Sequence, residues 1–232
     1  MPEAWKPPGD RDGPQKSQRA GNSRGDATAK ATEPGNGENR SAKMKIMKIL
    51  GIDFETANNK TPSPCSIGLT KKELFSSEGV ERRGTMINPE TWFSTGNMAV
   101  HGITAGMVKD APTFPEALRI FEAMILDDPL VLAHNAPFDI PVMAGACRRY
   151  GIRMPGFRYM DTLALCRKMT PRDMPHGLAE MAEHFKLPKF RHHTASDDAE
   201  TCVLLFEALM RKGGFGTPEE MSKATGVGIR ST

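Results

Sequence analysis

The sequence has few cysteines and no pair of the C-x-x-C kind. Its four cysteines, in a chain of 232 residues, stand apart at Cys65, Cys147, Cys166 and Cys202. This spacing argues against both a zinc knuckle and a disulfide framework. We therefore expect free thiols and a reducing, cytoplasmic environment.

Long apolar runs are also missing. No segment approaches the roughly 18 consecutive apolar residues of a membrane-spanning helix, and the N-terminus lacks the apolar core of a secretory signal. Hydrophobic residues nevertheless make up 38% of the chain, which is enough for one core at this length. The sequence predicts a soluble domain with appendages and no contact with membranes.

The first 43 residues are poor in apolar side chains and rich in Pro, Gly, Asn, Ser, Lys and Arg. Residues 1–45 hold nine Lys or Arg and six Asp or Glu, and this surplus of three equals the formal net charge of +3 for the whole chain. Such a segment buries too little apolar surface to offset the entropic cost of ordering. We expect residues 1–43 to be a disordered basic tail, which either tethers nucleic acid or a partner or is dispensable.

Two acidic residues follow directly after an apolar run. The run from Ile49 to Ile52 leads into Asp53, Phe54 and Glu55, which predicts a buried strand with Asp53 and Glu55 on one face. Two neighbouring carboxylates repel each other unless one keeps its proton or a cation is bound. Oxygen ligands favour a hard cation, Mg²⁺ or Mn²⁺. An ordinary strand end with two solvated acids stays open, so the interpretation depends on further ligands.

Short strands come first in the chain, and strands alternate with helices from residue 114 onward. Periodicity and turn residues predict strands at 65–70, 82–87, 129–133 and 157–160, and helices at 114–126, 137–150, 162–168, 177–186, 197–212 and 218–226. The segment 92–103 has no period and is predicted to be an irregular loop. This order indicates an α/β fold with a mixed sheet flanked by helices, followed by a short helical extension over residues 213–232.

Two more acids are expected near the first pair. Asp139 lies in the first turn of a helix that begins where a buried strand ends, and the C-terminal ends of parallel neighbouring strands meet at one edge of a sheet. Asp198 begins a later helix with an apolar stripe. His193, in the loop before that helix, can place an imidazole above the acids without binding the metal.

The motifs D-x-E, H-N-x-x-F-D and H-x-x-x-x-D occur in this order, ending at Glu55, Asp139 and Asp198. The set resembles the DEDDh exonucleases, the DnaQ-like family that includes the proofreading epsilon subunit of bacterial DNA polymerase III. The likeness covers roughly residues 46–210, and the first motif, D-F-E-T-A-N, is similar to that of epsilon-like exonucleases. The resemblance implies an RNase H-like fold with a five-stranded mixed sheet and an exonuclease domain over residues 44–212. It also implies 3′ to 5′ removal of nucleotides with two divalent cations, Mg²⁺ or Mn²⁺.

The resemblance assigns roles to individual residues. The implied metal ligands are four acids, Asp53, Glu55, Asp139 and Asp198. The implied general base is His193. His193 lies five residues before Asp198, and His192 likewise lies five residues before Asp197. The spacing alone therefore allows either pair to be the histidine and aspartate of the motif. Family members have Ala after the metal-binding Asp, and Ala199 therefore selects Asp198 and His193.

Further residues match family positions that line the 3′-terminal nucleotide. These substrate-binding candidates are Phe54, Thr56, Val100, His101, Asn135 and Phe138. Core packing is an open alternative for Phe54 and Phe138, and a structural role is open for His101 and His134.

The sequence thus predicts a metal-dependent 3′–5′ exonuclease acting on single-stranded 3′ ends, with DNA as the favoured substrate and a DNA polymerase as a candidate partner. An RNA-trimming enzyme of the same fold stays open, because recognition of a 2′ hydroxyl depends on pocket geometry. A non-catalytic subunit that binds nucleic acid or a polymerase is a third reading. Four acids that repel each other argue against it.

Overall fold

The computed structural model describes residues 47–232, and the predicted disordered tail lies outside the described residues. None of the helices in the described range has the length and apolarity needed to cross a membrane. The elements are, in chain order, β1 (Lys48–Thr56), β2 (Pro64–Glu73), β3 (Glu81–Met86), α1 (Thr95–His101), α2 (Ala105–Val108), α3 (Phe114–Met124), β4 (Leu130–Ala133), α4 (Ala136–Arg149), β5 (Arg158–Asp161), α5 (Thr162–Met169), α6 (Leu178–His184), α7 (Ala195–Gly213), α8 (Pro218–Thr225) and β6 (Arg230–Ser231).

The strands form one sheet in the order β3-β2-β1-β4-β5-β6. β1 pairs antiparallel with β2 and parallel with β4, and β4 pairs parallel with β5. The predicted mixed sheet flanked by helices is confirmed, but the predicted number of five strands is wrong. The sixth strand, β6, pairs antiparallel with β5 at Tyr159 and Arg230. Its two exposed residues are too few to show an alternating pattern.

The segment predicted as an irregular loop contains the helix α1. Ser94 caps this helix because its hydroxyl accepts the backbone N–H of Asn97 at 3.0 Å. Gly102, at φ 74°, ends it in the left-handed conformation. The helix buries none of its residues, so no apolar periodicity marked it in the sequence.

The two faces of the sheet carry separate hydrophobic clusters. Leu50, Ile52 and Phe54 of β1 point into the cluster formed with α3 and α4. Ile49 points to the opposite side, into the cluster formed with α5, α6, α7 and α8. Because side chains alternate along a strand, Asp53 falls on the side of α7.

The first turns of α7 pack against the backbone of β1 and β2 at two glycines. A Cβ atom at Gly51 would lie 2.1 Å from the carbonyl oxygen of Ala199, and one at Gly68 would lie 2.0 Å from the carbonyl group of Ala195. No side chain fits at either position, because real Cβ atoms do not approach backbone atoms so closely. The two glycines therefore let the N-terminal part of α7 rest directly on the sheet.

We expect Gly68→Ala to destabilise the protein, because the new methyl group forces α7 away from the sheet. The cost of overpacking is about 1–3 kcal/mol or more, which lowers Tm by roughly 2–12 °C in a domain of this size. Thermal denaturation followed by circular dichroism measures the change. Gly79→Ala is the control, because nothing lies within 4 Å of a Cβ atom there. Equal Tm values for the two variants would contradict the assigned close contact.

Candidate active site

Three acidic side chains meet at the end of β1. Asp53 and Glu55 lie in that strand, and Asp198 lies in the first turn of α7. Each offers a carboxylate oxygen that lies within 4.8 Å of the other two, a spacing that could hold a metal ion. Glu55 and Asp198 are buried, with only 9% and 3% of their surface exposed.

The fourth acid, Asp139, reaches the same place from α4 on the other face of the sheet. It is buried, and its Oδ1 accepts the backbone N–H of Phe54 at 3.0 Å. Phe54 stands between Asp53 and Glu55, so the Asp139 carboxylate lies beside the pair. Among neighbouring charges, Asp139 contributes most to raising the pKa of Asp53. The structure thus brings all four predicted acids together.

Burial and mutual repulsion favour the protonated forms of these acids. Burial is the main cause that raises the pKa of Glu55 to about 8, and the charge of Asp198 adds to it. Burial also raises the pKa of Asp139 to about 8. The pKa of Asp53 is raised well above its ordinary value. A donor set made only of carboxylate oxygens fits Mg²⁺ or Mn²⁺, and a bound cation would remove the repulsion.

Two histidines, not one, lie next to Asp198. The backbone N–H of His193 donates to Asp198 Oδ2 at 2.9 Å, and the ring Nδ1 of His192 lies 3.1 Å from Oδ1. The two imidazoles stack, with centroids 3.9 Å apart and planes 16° apart. The sequence motif selects His193 and not His192 as the site histidine. The adjacent histidines were the only signal of the position of His192.

A cavity of about 330 Å³ opens beside the acids. It is lined by Glu55 and by four of the predicted substrate residues, Thr56, Val100, His101 and Phe138. Val100 and Phe138 are apolar, yet 54% and 40% of their surfaces are exposed. The volume lies at the lower end of the range of about 300–1,000 Å³ typical of ligand sites.

Two predicted substrate residues do not line this cavity. Phe54 is 2% exposed and packs in the cluster with α3 and α4, so only its backbone contributes to the site. The alternation along β1 indicates this outcome, because it places Phe54 on the face opposite to Asp53 and Glu55. Asn135 is exposed at the start of α4 with φ 81°, and its backbone N–H donates to Asp161 at 3.1 Å.

His101 and His134 make structural hydrogen bonds. His101 accepts the backbone N–H of Ile103 on Nδ1 at 3.0 Å, and its Nε2 lies 3.1 Å from the carbonyl oxygen of Thr56. His134 contacts the Thr162 hydroxyl with Nδ1 and the His176 carbonyl oxygen with Nε2, each at 3.0 Å. Burial lowers the pKa of His134 to about 4, so both of its contacts involve a neutral ring.

Asn97 of α1 is a site residue that the sequence reasoning missed. Its Nδ2 donates to the carbonyl oxygen of Thr56 at 2.8 Å, to the Thr56 hydroxyl at 3.1 Å and to Asn59 Oδ1 at 3.1 Å. These bonds hold α1 against the end of β1, where it forms one wall of the cavity. The spacing Ser94-x-x-Asn97 resembles a capping box and was the available signal.

Metal-free protein should lose stability as the pH rises from about 4 to about 8. The pKa values of Glu55 and Asp139 are raised to about 8 in the folded state, against about 4 in an unfolded chain. Between these pKa values the folded state binds more protons than the unfolded chain. Raising the pH therefore favours the unfolded chain, and the free energy of unfolding falls. Thermal denaturation in EDTA between pH 4 and pH 9 measures the slope.

Glu55→Gln should flatten this profile and raise the metal-free Tm at pH 8, because it removes one of the repelling charges. The control is Asp110→Asn, whose side chain is 87% exposed and which should keep the slope. A Tm that rises with pH across this window would contradict the assignment.

Comparison with known proteins places the chain in a family. The family model described as Exonuclease (RNase T) matches residues 50–206. A protein of Mycobacterium tuberculosis named as a bifunctional exonuclease/endonuclease is 31% identical over 179 residues, covering 74% of this chain. A PolC-type DNA polymerase III of Oceanobacillus iheyensis is 31% identical over 161 residues, covering 69%. The match spans 28% of the first relative and 11% of the second.

Solved structures share the fold. Exonuclease X, in complex with 5′ overhanging duplex DNA, superimposes with a TM-score of 0.61 at 23% identity, over 78% of this chain and 99% of that one. The nuclease domain of 3′hExo, a DEDDh family member bound to rAMP, gives a TM-score of 0.64 at 18% identity, over 81% and 98%. With the family match over most of the described residues, and with Asp139 beside the three acids that meet at the end of β1, the chain belongs to the DnaQ-like exonuclease family.

Proposed function

We propose that this chain is a metal-dependent 3′–5′ exonuclease that removes nucleotides from single-stranded 3′ ends, with DNA as the favoured substrate. The observation that carries the proposal is the meeting of four acids from three chain segments beside a cavity of about 330 Å³. An assembly of buried carboxylates is unfavourable without cations. A protein that used this fold only as a scaffold would have no need to hold them together.

The acids Asp53, Glu55, Asp139 and Asp198 would hold two divalent cations, Mg²⁺ or Mn²⁺. When bound, such a pair stabilises the attacking and leaving oxygens of an in-line displacement at phosphorus. The protein fixes the positions of the ligands in advance. Asp139 is held by the Phe54 backbone and Asp198 by the His193 backbone, so the carboxylates need little reorganisation when cations arrive.

His193 is the proposed general base. Among residues 47–232, no hydrogen bond to its ring nitrogens satisfies the usual geometry, so a ring nitrogen is available to take a proton from the attacking water. General-base catalysis contributes about 10²–10⁴ in rate, or roughly 3–5.5 kcal/mol. Phosphodiester cleavage requires far more, and the larger share must come from the acids and from substrate positioning.

The terminal nucleotide is proposed to occupy the cavity beside Glu55. Its base would pack between the exposed apolar side chains of Val100 and Phe138, which stand on α1 and α4. Packing between two apolar groups tolerates every base. The arrangement therefore suits an enzyme that removes nucleotides without regard to sequence.

Similar sequences support the proposal of a DNA substrate and of a DNA polymerase as partner. PolC-type DNA polymerase III is among the similar sequences, which supports a DNA substrate and a DNA polymerase as partner. An RNA-trimming activity is the second candidate, because the structural neighbour 3′hExo was solved bound to rAMP. Recognition of the 2′ hydroxyl decides between them.

The test uses DNA and RNA oligonucleotides of equal sequence, labelled at the 3′ or the 5′ end. Wild-type protein in Mg²⁺ should shorten the 5′-labelled strand stepwise, release a labelled mononucleotide at once from the 3′-labelled strand, and lose all activity in EDTA. His193→Gln should lower the rate by about 10²–10⁴. Asp53→Asn should lower it at least as much, because the acids supply the larger share.

Asp110→Asn is the matched control for Asp53→Asn, since it removes an exposed carboxylate and should leave the rate unchanged. Faster degradation of DNA than of RNA is expected. Release of mononucleotides from the 5′ end would refute the proposed direction, and EDTA-resistant activity would refute the metal-dependent mechanism.

A further inference from the structure

His192 and His193 present two imidazoles on the same side of the chain. Neighbouring side chains on an extended backbone point in opposite directions. His193 has φ 64°, in the left-handed region that residues other than glycine seldom adopt. This backbone turn allows the two rings to stack at 3.9 Å next to the carboxylate of Asp198.

The three side chains form a second group of potential ligands. A ring nitrogen from each histidine and a carboxylate oxygen of Asp198 all lie within 4.8 Å of one another. Two imidazoles and one carboxylate are a donor set typical of Zn²⁺ and related transition metals, whereas Mg²⁺ prefers oxygen ligands alone. This group therefore differs in metal preference from the cluster of Asp53, Glu55 and Asp198.

The group needs only side-chain rotation to close around an ion. Tetrahedral ligands at zinc distances of about 2.0–2.1 Å lie roughly 3.3 Å apart, so the separations must shrink by about 1.5 Å at most. The side chain of His192 is 40% exposed, so its ring can leave the stack with His193 on the side of the solvent. Its contact with Asp198 Oδ1 already orients the ring toward the third ligand.

The two groups share Asp198. An ion held by the histidines would draw this carboxylate away from Asp53 and Glu55 and would also occupy His193. We propose that His192, His193 and Asp198 bind Zn²⁺ or a similar transition metal, and that this binding inhibits the nuclease. The inhibitory part rests on the proposed function, while the metal site itself does not.

Calorimetric titration of ZnCl₂ into the full chain, in excess Mg²⁺, tests the site without any activity measurement. Asp53→Asn breaks the acid cluster but leaves the three ligands intact, so it should bind zinc within about twofold of wild type. His192→Gln should bind at least tenfold more weakly. His184→Gln removes a histidine outside the group and should behave like wild type. Equal zinc affinity of His192→Gln and wild type would overturn the site.

Inhibition is measured as the zinc concentration that halves oligonucleotide degradation, relative to each variant's own rate in Mg²⁺. We expect His192→Gln to require at least tenfold more zinc than wild type. If both are inhibited at the same concentration, zinc acts through the acid cluster and the inhibitory role is wrong. If wild type degrades no oligonucleotide in Mg²⁺, the proposed function fails, and the titration still decides whether the zinc site exists.

Discussion

Repulsion among the four carboxylates at the end of β1 is the constraint on which the rest of the structure depends. Burial raises the pKa of each of them. The charges of neighbouring carboxylates add to the rise for Asp53, Glu55 and Asp139. Hydrogen bonds from the backbones of Phe54 and His193 offset part of this cost. A retained proton or a bound cation would remove the rest of the repulsion.

The sheet topology explains how acids from distant segments meet. β1 lies inside the sheet, between β2 and β4, and helices pack on both of its faces. Asp139 arrives from α4 on one face and Asp198 from α7 on the other, while Asp53 and Glu55 come from the strand between them. The direct contact of α7 with Gly51 and Gly68 sets how deeply Asp198 can approach.

The sequence predicted the parts of the site that depend on local periodicity and on motif order. Alternation along β1 placed Asp53 and Glu55 together, and the order of the motifs identified Asp139 and Asp198. It could not reveal α1, which buries no apolar stripe, or β6, which has two exposed residues. Asn97 and His192 act through contacts with residues far away or around a turn. The spacing Ser94-x-x-Asn97 and the adjacent histidines are visible in the sequence, but they do not reveal those contacts.

Phe54 links the core to the site within one residue. Its ring is packed among the side chains of α3 and α4, and its N–H holds Asp139 from the same backbone position. The position of the Asp139 carboxylate therefore depends on how the core packs on that side of the sheet. Substitutions that repack that interior, for example during adaptation to heat or cold, would therefore also change the rate of catalysis. The reason is that Phe54 belongs to the core through its ring and holds Asp139 through its backbone N–H.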